Sequence, residues 1–259
     1  MLSLWPAAWS RQQRSSATMI TASLGLLLIL WLIPIPLAMA PEPIGNNAQL
    51  FADGTRVTVQ LTVVSGLIGV VLGVLAALGK VSRIAPLRWL AGFYIWVMRG
   101  TPLLVQVLFV YFALPELIPW LRLNEFSAAC VALALNVGAY NAEAIRSGLL
   151  AVPKGQMEAA RSLGLSRWHT FIDITFPQAF KIALPPLVNN IVALLKDSSL
   201  AFTIGVVELT NAGSQVKSTS FQAVPVFIAT AIIYLLLTTV MTQISDAVER
   251  RYDIEGKLR

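Results

Sequence analysis

Two groups of polar residues each interrupt an otherwise apolar stretch. Lys196-Asp197-Ser198-Ser199 falls past the middle of the window 182–206, about fourteen residues, and so about 20 Å of helical rise, from its start. Asn136, Tyr140 and Glu143 are spaced by four and three, which aligns them on one face of a helix. An ammonium can hold a carboxylate and a carboxylate can hold an amine, so the chemistry on offer is recognition of a small molecule carrying both charges. In that reading Lys196 meets a carboxylate and Asp197 or Glu143 meets an amine, with Ser198, Asn136 and Tyr140 on the same two faces. Structural readings compete: Lys196 and Asp197 neutralise each other or belong to the fold of a broken helix, and Glu143 pairs with Arg146.

Bond-making chemistry finds little material. Cys130 is the only cysteine and lies in an apolar window, so no intrachain disulfide or cysteine-based metal site can form. His169 is the only histidine and lacks the partners that zinc binding or acid–base catalysis needs. Gly73 to Gly79-Lys80 is a false phosphate loop. Five residues separate its glycines where four are required, Val81 stands where a serine or threonine must be, and the stretch is apolar. The chain therefore carries no ATP site, cofactor or metal of its own and is not expected to be an enzyme.

The elements that position these residues are membrane helices. Of 259 residues 56% are hydrophobic and 12% charged, with a mean hydropathy of +0.72, too little polar surface to wrap a soluble globule. A bilayer core of about 30 Å needs roughly 20 apolar residues per helix, and several windows satisfy that. The net charge of +6 does not point to nucleic acid, because the basic residues form short clusters between apolar windows.

The first window, 17–39, follows Arg11 and Arg14 and is bent or ended by Pro34 and Pro36. Its basic start and the triplet Ala38-Met39-Ala40 also fit a cleaved signal peptide, but its apolar length favours a retained span. Window 57–79 carries Gly66, Gly69 and Gly73, which let another helix approach closely. The run 87–98 is too short to cross alone, and Pro102 breaks it from a span over 101–118, so it reads as an interfacial helix. Trp89, Tyr94 and Trp96 suit an aromatic belt there. Windows 126–145, 182–206 and 224–248 supply the remaining spans, with a polar loop carrying Glu208 and Lys217 between the last two.

Placing the amino terminus inside puts Arg11, Arg14, Lys80, Arg83, Arg88, Arg146, Lys154, Arg161, Arg167, Lys181, Arg250, Arg251, Lys257 and Arg259 in the cytoplasm, fourteen of nineteen basic residues. With six spans both termini are cytoplasmic; cleavage after Ala40 would leave five and an outside start. The long polar segment 146–181 then also faces the cytoplasm.

Within that segment Pro153 suits a first helical turn and Gly164 a left-handed helix end. Met157, Ala160 and Leu163 recur at helical spacing, and Glu158 can pair with Arg161 one turn on. The short helix so formed has one modestly apolar face and reads either as a docking element or as an ordinary surface helix.

Glu158-Ala159-Ala160, three residues to Gly164, nine more to Ile174, and then Phe176-Pro177 resemble the EAA motif of ABC importer permeases. The similarity continues in Arg99-Gly100-Thr101-Pro102-Leu103-Leu104-Val105-Gln106, in Leu135-Asn136-Val137-Gly138-Ala139-Tyr140-Asn141-Ala142-Glu143, and from Ala183-Leu184-Pro185-Pro186 through Leu195-Lys196-Asp197-Ser198-Ser199-Leu200. These segments look like the polar amino-acid subfamily of the histidine, glutamine and arginine type. One departure is Phe176 where the motif usually has leucine.

The resemblance implies an all-α membrane protein with the type I ABC importer transmembrane domain, a five-helix core plus one N-terminal span. The permease domain would run over 55–251, after an N-terminal segment 1–54 and before a cytoplasmic tail 252–259. By the same resemblance Met157, Glu158, Ala159, Ala160, Leu163 and Gly164 form a helix that sits in a groove on a cytoplasmic ATPase. The implied partners are a second permease subunit, identical or related, two ATPase subunits that hold the ATP and Mg, an external substrate-binding protein and a polar amino acid. The implied location is a bacterial inner membrane. An ATPase-independent secondary transporter or channel is the alternative, but paired inverted halves, frequent in such proteins, are not visible.

Overall fold

The computed structural model describes residues 9–252, in which every regular element is helical. Lys257, Arg259 and the tail beyond Tyr252 lie outside the described residues. Helix α1 spans Arg11–Leu32 and continues, after Ile33, as the short α2, Pro34–Ala38. Helix α3 is Ala48–Val81, α4 is Ala85–Gly100, and α5 (Leu103–Leu108) passes through a π-helical turn, Phe109–Ala113, into α6 (Leu114–Leu117). Helix α7 is Glu125–Ala151, α8 is Lys154–Ser162, and α9 (Arg167–His169) runs through π-helical Thr170–Thr175 into α10, Phe176–Asp197. A 3₁₀ segment, Ser198–Ile204, ends α10, and α11 (Leu209–Ser220) and α12 (Ala223–Tyr252) follow it.

Among the described residues five helical stretches are long and apolar enough to cross a membrane: Gln13–Ala38, Gly45–Val81, Glu125–Ala151, Arg167–Ile204 and Ala223–Tyr252. The pair Ala85–Gly100 and Leu103–Leu117, bent by 111°, makes a sixth if counted as one. The bend falls at Thr101-Pro102, where proline keeps the residue before it out of helical geometry.

Helices α3 and α7 form the most extensive contact, and α10 packs against both. Lipid tails are as apolar as leucine, so close approach of small residues holds membrane helices together. A Cβ at Gly73 would lie 2.6 Å from the Asn141 Cβ, and Gly69 faces Val137 as tightly. Gly66, by contrast, faces Ile191 of α10. The core joins Leu61 of α3, Val107 of α5, Leu133 of α7 and Leu194 of α10.

Three elements differ from the sequence expectation. Helix α3 begins at Ala48, well before 57, because Phe51, Ala52 and Thr55 are buried and Arg56 is neutralised by Asp53 at 2.6 Å. The last but one span begins at Arg167, not 182: Thr170, Thr175 and Ala179 supply a buried face while Asp173 and Lys181 are exposed. The loop around Glu208 and Lys217 is largely the helix α11, wedged against α3 and α12.

Helix α1 lies against α12, with Ser15 Oγ hydrogen-bonded to the Ala247 carbonyl near one end. At the other end Arg56 Nε donates to Leu30 O at 3.2 Å, and Ile33 is buried in one cluster with Phe51, Leu209, Val226 and Leu237.

Candidate functional site

Helix α8 projects from the end of α7 and is fastened on both sides. Gly164 adopts φ +85°, and the bonds Gly164 N–H to Arg161 O (3.0 Å) and Leu165 N–H to Ala160 O (3.1 Å) close a Schellman cap. Ser166 caps the next turn by accepting from His169 N–H at 3.3 Å. Gln178 Nε2 donates to Gln156 Oε1 at 2.5 Å, tying α8 to the start of α10. Ala160 is buried beneath the helix, whereas Glu158, Ala159 and Leu163 are exposed, Leu163 to 83%. Met157, Glu158, Arg161 and Arg167 line a cleft of about 400 Å³ between α8 and the π-helical turn. The expected Glu158–Arg161 ion pair does not form; both charges line the cleft instead.

The two polar groups inside the membrane windows do not meet. Asn136 is almost wholly buried, and its Nδ2 donates to Met98 O (3.2 Å) and Gln106 Oε1 (3.0 Å). Gln106 Nε2 in turn donates to Met98 O and to Thr101 Oγ1, both at 2.8 Å. Asn136 therefore holds the break between α4 and α5. Tyr140 and Glu143 do share a partner: the Arg99 guanidinium lies 5.3 Å from the Tyr140 ring centre and 4.0 Å from a Glu143 oxygen. Glu143 also carries a bidentate pair with Arg146, as one structural reading expected.

Lys196 and Asp197 form no ion pair with each other among the described residues, and Lys196 opens onto a cleft of about 330 Å³ with Ser199, Thr210, Thr230 and Tyr234. Ser198 is fully buried, and its hydroxyl donates to Leu195 O at 2.8 Å.

Directly behind that cleft sits Glu208, which the sequence reading places in a loop. It is fully buried and caps α11, accepting from the backbone N–H groups of Thr210 and Asn211, each at 2.8 Å. The Tyr234 hydroxyl donates to the same carboxylate at 2.8 Å, and Thr58 Oγ1 accepts from Leu209 N–H at 3.1 Å. One residue thus ties α11 to α12, and the next ties it to α3. Burial pushes the Glu208 carboxyl above its ordinary value, while its donors from Thr210, Tyr234 and Asn211 pull it part of the way back. The signal for α11 was present: Leu209, Ala212, Gly213 and Val216 stand at helical spacing, and all four are buried.

Trp89 and Trp96 face outward as an aromatic belt requires, but Tyr94 turns inward and donates to Leu135 O at 2.7 Å. His169 Nδ1 lies 2.8 Å from Ser166 Oγ, and no group of three or more metal-binding side chains exists among the described residues.

Comparison with known proteins agrees with this architecture. Residues 69–254 match the family described as the binding-protein-dependent transport system inner membrane component. The chain is 36% identical over 205 residues to the L-cystine transport system permease protein TcyB of Bacillus subtilis (strain 168), covering 79% of this chain and 87% of that one. It is 40% identical over 205 residues to the glutamine transport system permease protein GlnP of Escherichia coli (strain K12), covering 79% and 94%. Among solved structures, an amino acid ABC transporter crystallised with histidines matches with a TM-score of 0.74 at 39% identity, covering 78% of this chain and 94% of the other. With most of its length matched and its helices superposable on such a permease, this chain belongs to the binding-protein-dependent transport system inner membrane component family, the multi-pass permeases of ABC importers.

Proposed function

We propose that the chain is the permease subunit of an ATP-driven bacterial importer that moves polar amino acids into the cytoplasm by alternating access. The observation that carries this reading is α8, a short helix with an outward face and both ends fixed to spans. A push on Glu158, Ala159 or Leu163 reaches α10 through the Gln156–Gln178 bond and the buried Ala160. It passes to α7 where Gly148 packs on Ala179 and Ala183, and where Asn190 Nδ2 donates to Asn141 Oδ1 at 2.9 Å. Packed helices shift as units, so motion at the coupling end opens or closes the route at the other.

The pusher is a cytoplasmic ATPase that holds ATP and Mg. The full assembly comprises two permease subunits, identical or related, two ATPase subunits and an external substrate-binding protein. Both termini and α8 lie on the cytoplasmic side, and α1 is a span that stays with the core. Lys196, with Asp197 and Ser198 beside it, and the group Asn136, Tyr140 and Glu143 belong to the substrate route. Lys196 faces a substrate carboxylate and Asp197 beside it serves the amine, or Glu143, held apart from Lys196 by Arg99 and Arg146, serves the amine at a separate point of the route. The relatives' named substrates, cystine and glutamine, carry both charges.

Uptake of a panel of labelled amino acids into proteoliposomes holding the complete importer tests the reading. Uptake of polar amino acids that requires ATP, and that falls at least tenfold with Lys196→Gln, is expected. ATP-independent uptake would favour a secondary transporter; ATP-driven uptake with unchanged affinity, rate and substrate range in Lys196→Gln and Glu143→Gln would remove both residues from the route.

A further inference from the structure

The corner between α3 and α4 has a chemistry that the transport reading does not use. One face of α4 is committed to the bundle: Ala91 and Ile95 are buried, and Tyr94 bonds to α7. The opposite face carries Trp89, Phe93 and Trp96, spaced by four and three residues and exposed to 78%, 59% and 72%. Because α4 meets α5 at 111°, it cannot run parallel to the segment that follows it, and it has the aromatic-faced form of a helix lying in a membrane interface.

Cations gather along its N-terminal half. Lys80 ends α3 with its Nζ across Gly92, Arg83 is exposed in the connection, and Arg88 reaches back to Ser82 O at 3.3 Å. No carboxylate lies within ion-pair distance of any of the three among the described residues; Glu143 of α7 acts on Lys80 only at longer range, and none acts so on Arg83 or Arg88. Between Arg56 and Glu116 the chain itself has no aspartate or glutamate. Arg99, at the far end of α4, is engaged by Tyr140 and Glu143.

We propose that this corner binds the headgroup of an anionic phospholipid, with Arg83 and Arg88 on the phosphate, Lys80 beside them and Trp89 against the upper acyl chain. Three cations next to an exposed indole match a negative headgroup above hydrocarbon. A bound lipid would seat α4, and with it the α4–α5 break that Gln106 and Asn136 hold.

Quenching of tryptophan fluorescence by brominated phosphatidylglycerol and brominated phosphatidylcholine, on the purified full-length chain in detergent micelles, reads the site directly. The difference between the wild type and Trp89→Phe isolates the local signal. Phosphatidylglycerol is expected to quench that signal at lower mole fraction than phosphatidylcholine. Arg83→Gln with Arg88→Gln should lower the preference about thirtyfold, from about one decade and a half for two cations near a charged surface. Arg83→Lys with Arg88→Lys should keep most of it, which separates lost charge from lost folding. Equal quenching by the two lipids, a preference that survives the glutamine substitutions, or displacement by soluble glycerol phosphate at equal concentration would overturn the assignment.

Discussion

Gly164 and Glu208 show how single residues set the geometry at opposite ends of the molecule. At φ +85° an L side chain costs roughly 1–2 kcal/mol, so Gly164→Ala should loosen the α8 cap without touching the core. Hydrogen exchange at the amides of Leu163 to Leu165 should become faster in that variant while α7 and α10 keep their protection. Glu208 makes a prediction with a sign. Its folded-state carboxyl is raised by burial, so the folded chain binds the proton more tightly than the unfolded chain does. The protonated form's advantage is complete below the ordinary value of 4.5 and is lost as pH rises through the raised value. Glu208→Gln removes that titration, whatever constant offset the lost acceptor brings. In thermal unfolding from about pH 4 to about pH 8 the variant should gain stability relative to the wild type as pH rises; a difference that is flat or falls would contradict the burial argument. Gly164 was legible in the sequence because its neighbours fix a helix end. Glu208 was not, because its partners Tyr234 and Thr58 are distant in sequence.

At the scale of elements, the break between α4 and α5 is built rather than merely permitted. Proline explains why the helix stops, but Gln106 and Asn136 explain why it resumes at 111°, since both amides satisfy the carbonyl of Met98 and Gln106 also bonds Thr101. A double-mutant cycle with Asn136→Ala and Gln106→Ala should therefore show coupling of about 1 kcal/mol in chemical unfolding, and additive effects would contradict the shared network. The long spans were readable from hydropathy, and glycine spacing on α3 indicated close packing. Their true starts were not, because Asp53 and Arg56, or Asp173 and Lys181, look like loop until partners and outward faces accommodate them. Helix α11 was hidden by its polar face, although its four buried positions kept the helical period.

For the whole molecule, the proposal is mechanical: we propose that the nucleotide cycle of a neighbouring subunit enters through α8. Its motif was recognisable in sequence, yet the fastening of α8 to α10 by Gln156 and Gln178 depends on a loop closing back on itself, which no local pattern encodes. The exposed Leu163, at the rim of this surface, is the position to probe. In a Cys130→Ala background, Leu163→Cys can be spin-labelled and the label's mobility followed in the assembled importer in lipid nanodiscs, with and without ATP. The account predicts a label immobilised by the ATPase subunit whose mobility changes between the nucleotide-free and ATP-bound states. A label as mobile in the complex as in the isolated chain and indifferent to ATP would contradict it, as would modification of the Leu163→Cys variant's introduced thiol from outside intact cells by a membrane-impermeant reagent.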